Sequence, residues 1–203
     1  QRAIIDRRAL AEEIASLHVA GGAGARTAIV KALRDALDSG RAELARRLAE
    51  TPSAGHEVTA GFSFLMDQLL RVIHDHVTTH LYPVAGRTQG ERLAILAVGG
   101  YGRAEMAPHS DVDVAFITPG KRAPWCEQVI ETMLYLLWDL GLKVGHSSRT
   151  AADTVRMAKE DLTIRTALLE SRLVWGDQAL YEELRSRFWN DVVKGSERQF
   201  LTQ

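Results

Sequence analysis

Two carboxylates, Asp111 and Asp113, open an apolar strand and are the residues whose type and spacing are best suited to chemistry. Because side chains alternate across a β-strand, the two carboxylates are predicted to share one face, while Val112 and Val114 point into the core. Carboxylates this close repel each other unless a cation lies between them. Hard oxygen ligands suit Mg²⁺ (or Mn²⁺), so the pair is predicted to bind a divalent metal ion.

A glycine-rich turn precedes the two carboxylates. The continuous apolar run at 93–98 predicts a strand buried on both faces, and Gly99, Gly100 and Gly102 follow it directly. Glycines let the backbone come close to a bulky anion and leave N–H groups available to bind it. The turn is therefore predicted to bind phosphate groups; a purely structural tight turn is the alternative.

Arg103 and Ser110 are two further candidates for phosphate contact. Arg103 could clamp a phosphate or form a structural ion pair with Glu105. Ser110 could donate its hydroxyl to a phosphate oxygen or form a local turn bond. The residues alone leave both alternatives open, and Tyr101 is interpreted as a cover for the turn.

Helices and strands must position this stretch, and their pattern alternates along the chain. Helical spacing of apolar residues predicts helices at 1–20, 27–48, 57–81, 125–140, 151–159, 161–170 and 177–193. Strands are predicted at 93–98, 110–117, 142–148 and 172–175. Gly40 is expected to interrupt or bend the second helix, and 51–55 is expected to be a linker. This alternation predicts a mixed α/β sheet with helices packed on it.

Several helix ends carry sequence patterns typical of caps. Gly141 is predicted to end the helix that precedes it. Thr150 with Asp153 resembles a capping box, and Asp177 is predicted to begin the last helix. His76 and His80 lie four residues apart, as many zinc ligand pairs do, but no neighbouring Cys or acidic ligand completes a site. Both are interpreted as ordinary residues at the polar edge of their helix.

Composition disfavours several classes of protein. The 203 residues carry a net charge of −1, which does not favour non-specific nucleic-acid binding. No apolar run approaches the ~20 residues of a membrane span, and no signal-peptide pattern is seen, so no membrane partner is expected. The single Cys126 excludes an intramolecular disulfide and fits the reducing cytoplasm.

The glycine turn and the carboxylates together resemble the nucleotidyltransferase superfamily. Its pattern is apolar-Gly-Gly/Ser, then about ten residues, then Asp-x-Asp; here the ten residues 101–110 separate Gly100 from Asp111. The longer string Gly-Gly-Tyr-Gly-Arg-x-Glu-Met-x-Pro-x-Ser-Asp-Val-Asp resembles the bacterial PII uridylyltransferase/uridylyl-removing enzymes. Segments 143–150 and 161–177 are similar to the same family, and the resemblance covers residues 60–200.

The resemblance implies an α/β (α+β) nucleotidyltransferase fold of the polymerase-β type, with a mixed sheet flanked by helices. The helix pattern predicts an N-terminal helical segment at 1–55 before the nucleotidyltransferase domain at 56–203, and we expect the chain to be a piece of a longer protein. The implied enzyme transfers UMP from UTP to a tyrosine hydroxyl of the PII signal protein in nitrogen regulation. In that reaction Asp111 and Asp113 would be the catalytic metal ligands, for Mg²⁺ or Mn²⁺. The nucleotide would contact Gly99, Gly100, Gly102, Arg103 and Ser110.

The third carboxylate that most members of the superfamily supply from a later strand is missing from the predicted strand at 142–148. Asp161 and Glu170 are the nearest candidates, and further polar contacts could come from Lys143, His146, Arg149 and Arg165. Two other functions stay open on the sequence. One is an adenylyltransferase of the glutamine synthetase-modifying type, and the other is a non-catalytic nucleotide-sensing module.

Overall fold

The structure, a computed structural model, describes residues 1–86, 88–120 and 124–194. The chain folds into two compact units. The first contains residues 1–85, 104–112 and 127–144, and the second contains residues 86–103, 113–126 and 145–203.

Helices and strands alternate in the order that the sequence predicts. The α-helices of the described residues are α1 (Arg7–Gly21), α2 (Arg26–Glu50), α3 (Gly55–His76), α4 (Gly99–Gly102), α5 (Pro124–Asp139), α6 (Ala151–Glu160), α7 (Leu162–Leu169) and α8 (Gln178–Phe188). The strands are β1 (Ala94–Ala97), β2 (Val112–Thr118), β3 (Val144–Thr150) and β4 (Arg172–Gly176). Short 3₁₀ turns follow α1 and α2, at Gly22–Ala25 and Pro52–Ala54. π-Helical turns extend α3 and α8, at Val77–Leu81 and Trp189–Val193.

The first unit is helical, and α1, α2 and α3 pack on one another. α1 begins later than predicted because Asp6 caps it by accepting a hydrogen bond from the Ala9 N–H at 3.2 Å. Gly141 ends the segment after α5 with a φ of +76°, and its N–H donates to the Trp138 carbonyl at 2.8 Å. The predicted glycine cap is therefore confirmed.

Gly40 does not interrupt α2, so that prediction is wrong. α2 continues without a break from Arg26 to Glu50. A Cβ on Gly40 would lie 2.7 Å from Cδ1 of Leu65 and 2.8 Å from the carbonyl oxygen of Ile4. The glycine is explained by this close packing of α2 on its neighbours rather than by a break in the helix.

The strands of the sheet pair in the second unit, in the order β3-β2-β1-β4. β1 pairs antiparallel with both β2 and β4, with Ala97 opposite Val114, and the register with β4 shifts between Ile95 and Leu96. One sheet face carries Ala94, Leu96, Ala115 and Ile117, and it packs against Val155, Leu168, Leu180, Leu184 and Phe188 of the later helices. The predicted α/β fold, a sheet flanked by helices, is confirmed.

Polar caps fix the helices that cover this sheet face. Thr150 Oγ1 accepts from the Asp153 N–H at 3.1 Å, as the capping-box pattern predicts. Asp161 accepts from the N–H groups of Thr163 and Ile164 at 2.7 and 3.2 Å.

Asp177 has two structural partners at the start of α8. Its carboxylate accepts from the Leu180 N–H at 3.0 Å, which confirms the predicted cap. It also forms a two-pronged ion pair with Arg92, at 2.7 and 2.9 Å. The guanidinium of Arg92 lowers the pKa of the Asp177 carboxyl. Arg92, two residues before β1, is thereby tied to the start of α8.

Among the described residues, none of the helices combines the length and the hydropathy that crossing a membrane requires.

Candidate active site

The glycine turn folds as a single helical turn, α4, directly after β1. Gly99 has a φ of +59°, a backbone conformation that favours glycine. The Gly102 N–H donates to the Val98 carbonyl at 3.0 Å, and the Arg103 N–H donates to the Gly99 carbonyl at 3.1 Å. Because the Gly102 N–H already has this partner, the phosphate contact predicted for it would require that bond to open.

Gly102 has a second, structural reason to be glycine. It is buried, and a Cβ at this position would overlap the carbonyl oxygen of Glu170 and lie 3.0 Å from the carbonyl oxygen of Ala97. Both neighbours are backbone atoms, which cannot turn away as a side chain can. Because residue 102 is glycine, α4 can pack against the backbone at the end of α7.

Asp113 is the half-buried second residue of β2. Its backbone carbonyl accepts from the Val98 N–H at 3.1 Å, which ties the start of β2 to the end of β1. On either side in sequence, Val112 and Val114 are buried, so their predicted orientation into the core is confirmed.

The Asp113 carboxylate lies between two glycines. A Cβ built on Gly99 would lie 3.7 Å from Oδ2 of Asp113. A Cβ built on Gly145, in β3, would lie 3.5 Å from Cγ and would overlap Oδ1. The structure thus places an acidic side chain beside the first residue of the glycine turn. Sequence reasoning did not single out Gly145, although a glycine inside a strand is a known signal of a close approach.

Ser110 and Asp111 belong to the first unit and precede β2, which begins at Val112 rather than at Ser110 as predicted. Both are exposed. Ser110 closes a turn with Ala107: its Oγ accepts from the Ala107 N–H at 2.9 Å, and its own N–H donates to the Ala107 carbonyl at 3.1 Å. The structural alternative for Ser110 is therefore present. Of the predicted site residues, the second unit contains Gly99, Gly100, Gly102, Arg103 and Asp113.

Arg103 forms an ion pair with Glu170, the residue that follows α7, with 2.8 Å between Nη1 and Oε1. The two candidates for a third carboxylate therefore both have structural partners, since Asp161 caps α7 and Glu170 pairs with Arg103. Tyr101 is fully buried in α4, and the guanidinium carbon of Arg172 lies 5.5 Å from the centre of its ring. This burial fits the interpretation that Tyr101 covers the turn.

The carboxylate at this site suits a divalent ion that takes its remaining ligands from a substrate. Among the described residues, no group of three or more His, Cys, Asp or Glu side chains is arranged to hold a metal ion. Mg²⁺ at nucleotide sites is usually bound by one or two carboxylates together with substrate phosphates, rather than by a cage of protein ligands. A carboxylate such as that of Asp113, placed beside a glycine turn, meets this requirement.

Three histidines of the first unit lie together. The ring centres of His76 and His80 are 5.5 Å apart, and that of His18 lies 5.5 and 5.0 Å from them. His76 is only 6% exposed, so its interpretation as a polar-edge residue is wrong. Its Nδ1 is buried and has no hydrogen-bond partner among the described residues. Burial, and then the neighbouring His80 and His18, lower the pKa of His76 to about 4.

Comparison with known proteins identifies the family. A family model described as "Putative nucleotidyltransferase DUF294" matches residues 39–156. A "Bifunctional uridylyltransferase/uridylyl-removing enzyme" of Erythrobacter litoralis is 66% identical over 203 residues, which is 100% of this chain and 22% of the relative. Relatives with the same name from Novosphingobium aromaticivorans and Rhodospirillum rubrum are 63% and 50% identical, over 100% and 98% of this chain. The chain spans 22% of the length of each of these curated relatives.

The match covers more than half of the chain and includes the glycine turn, both aspartates and the strand that carries Gly145. The four-stranded sheet with its helices agrees with it. The chain belongs to the DUF294 nucleotidyltransferase family.

Proposed function

We propose that this chain is the nucleotidyltransferase part of an enzyme that transfers UMP from UTP to a tyrosine hydroxyl of the PII signal protein. The observation that carries the transfer chemistry is the Asp113 carboxylate set beside Gly99 of the glycine turn. UTP is supported by the names of the relatives. The tyrosine and the PII protein rest on the resemblance of the string at 99–113.

The proposed reaction is a displacement at phosphorus. The hydroxyl oxygen of the acceptor forms a bond to the α-phosphorus of UTP, and the bond from that phosphorus to the bridging oxygen breaks. Pyrophosphate leaves with the electron pair, and the hydroxyl proton passes to solvent. Catalysis of such a step depends mainly on positioning and charge stabilisation.

The chain's own residues would supply that positioning. Asp113, with Asp111 two residues earlier in the chain, would hold a divalent ion, Mg²⁺ or Mn²⁺. When bound, this ion neutralises charge on the reacting phosphates. The backbone at Gly99 and Gly100 would meet the β- and γ-phosphates. Arg103 would have to exchange Glu170 for a phosphate oxygen to act as a clamp.

A transfer assay with the full-length protein tests the proposal. It measures the label transferred to purified PII in the presence of Mg²⁺ and labelled UTP, CTP or ATP. In a site matched to uracil, the wrong base leaves buried polar groups without hydrogen-bond partners, and each such group costs ~1–3 kcal/mol of binding free energy. UTP is therefore expected to outcompete CTP and ATP. Asp113→Asn should abolish transfer. Asp35→Asn, which changes an exposed carboxylate of α2, should leave it unchanged.

Each contrary result has a distinct meaning. Equal or better use of ATP would favour an adenylyltransferase. Binding of UTP without transfer of any nucleotide would favour a sensing module. Transfer at the wild-type rate by Asp113→Asn would remove the assigned role of the carboxylate.

A further inference from the structure

Gly145 occupies a position in β3 where a side chain has no room. A Cβ there would overlap Oδ1 of Asp113 and lie 3.5 Å from its Cγ. Leaving aside the two chain neighbours of Gly145, no other residue that the structure describes lies within 4 Å of that Cβ. The obstacle to a side chain at this position is therefore the Asp113 carboxylate itself.

The backbone does not require glycine at this position. The glycines with positive φ among the described residues are Gly22, Gly99, Gly141 and Gly176, and Gly145 is not one of them. An alanine could adopt the backbone conformation of Gly145 without strain. The requirement for glycine comes from the neighbouring side chain and not from the fold of β3.

The opposite side of the same carboxylate faces Gly99. Oδ2 of Asp113 lies 3.7 Å from the Cβ that Gly99 lacks. The two carboxylate oxygens are therefore directed to two elements: Oδ1 toward β3, and Oδ2 toward the start of α4. Oδ2 is therefore the carboxylate oxygen that faces the glycine turn.

We propose that Gly145 is a positioning residue that sets the orientation of the Asp113 carboxylate toward the glycine turn. This inference rests on the proposed function, because it takes the glycine turn as the place where metal ion and triphosphate bind. With any larger residue at 145, the carboxylate has to rotate or move away from β3. An acidic side chain at position 145 would likewise occupy the volume of the Asp113 carboxylate.

A purely structural role would predict something different. If Gly145 served only the packing of β3, its substitution would lower stability whether or not Asp113 were present. If Gly145 acts through Asp113, the two positions are energetically coupled, and a double-mutant cycle measures that coupling directly. The cycle here joins Gly145→Ala with Asp113→Ala in the full-length protein.

Two quantities are measured on all four proteins of the cycle. The first is the thermal unfolding midpoint without metal. The second is the affinity for Mn²⁺ in the presence of UTP, followed by the electron paramagnetic resonance of free Mn²⁺. Gly120→Ala is the matched control, since a Cβ there meets no described residue within 4 Å and Gly120 has no positive φ to strain it.

Gly145→Ala is expected to weaken Mn²⁺ binding at least tenfold, while Gly120→Ala leaves it unchanged. In transfer assays, kcat should fall at least tenfold and the KM for UTP should change less than threefold. In the Asp113→Ala background, Gly145→Ala should weaken Mn²⁺ binding no further, and the unfolding midpoint that it lowers in the wild type should recover. That recovery keeps the test decisive even where Gly145→Ala alone folds poorly.

Additive effects of the two substitutions on the unfolding midpoint would overturn the inference. So would wild-type Mn²⁺ affinity in a folded Gly145→Ala protein. Failure of the proposed function gives a different pattern: the wild-type protein itself would show no metal-dependent binding of UTP. The unfolding midpoints of the four proteins would still show whether Gly145 and Asp113 are energetically coupled.

Discussion

Glu170 holds the Arg103 guanidinium at 2.8 Å, so the arginine next to the glycine turn has a carboxylate partner. The pair is partly exposed, 45% for the Arg103 side chain and 27% for that of Glu170. Ion pairs of this exposure contribute little to stability. Exchange of this ion pair for a contact with a phosphate would therefore cost little energy.

Substitution of Glu170 tests that relationship. Glu170→Gln should lower the free energy of unfolding by less than ~1 kcal/mol, because the pair is screened by water. If Arg103 clamps phosphate, the variant should bind UTP at least as tightly as the wild type, whereas Arg103→Ala should bind it more weakly. Isothermal titration of UTP measures both. Glu183→Gln, which removes a carboxylate paired with Arg187 on α8, is the control.

Gly102→Ala should destabilise the protein. The added Cβ would meet two backbone carbonyls, of Glu170 and Ala97, which cannot yield without moving α4 or the end of α7. A loss of about 1–3 kcal/mol is expected, as for other overpacked sites. Urea unfolding measures it. Gly55→Ala is the control, since a Cβ there meets no atom of the described residues within 4 Å and should stabilise α3 slightly. Equal stability of the two variants would contradict the packing role of Gly102.

Gly99→Ala should weaken UTP binding about tenfold, or about 1.4 kcal/mol. Its φ of +59° is costly for alanine, so the turn has to change shape where the phosphates are proposed to bind. Gly141→Ala provides a matched comparison, since Gly141 has a φ of +76° and, within the part of the chain that the structure describes, an added Cβ would meet nothing within 4 Å. It should lose stability but keep its affinity for UTP. A Gly99→Ala protein with normal affinity would show that the turn is only structural.

His76 makes stability depend on pH. Its pKa is lowered from 6.5 to about 4 in the folded protein, so between these values the unfolded chain takes up the proton first. Stability is therefore highest above pH 6.5 and falls as the pH drops toward about 4, by up to roughly 3 kcal/mol at 1.36 kcal/mol per pKa unit.

Urea unfolding at several pH values checks this dependence on acid. His76→Leu should reduce the slope of stability against pH in that window. The control is His56→Gln, which changes an exposed histidine at the start of α3 and should keep the wild-type slope. An unchanged slope in His76→Leu would show that the acid sensitivity does not come from His76.

The parts of the fold predicted correctly depend on signals close together in sequence. The apolar run before Gly99 predicted a strand, and the capping residues Thr150 and Asp177 predicted where two helices begin. Each of these depends on residues within about one turn of each other. For the same reason the order of helices and strands, and hence the fold class, could be obtained without coordinates.

The parts that were missed depend on contacts between distant segments. Gly40 is buried against Leu65, so its helix continues, and no local pattern indicates this. Arg103 pairs with Glu170, and Asp113 lies against Gly145, each through a partner on another element. The division of the chain into residues 1–55 and 56–203 stays a prediction.

The central position of β1 has a consequence for synthesis on the ribosome. β1 pairs with β2 soon after both have been made, but its other edge stays bare until β4, at Arg172–Gly176, has left the exit tunnel. Unpaired strand edges invite association between chains. Until then, the bare edge of β1 would be open to pairing with the same edge of a neighbouring nascent chain.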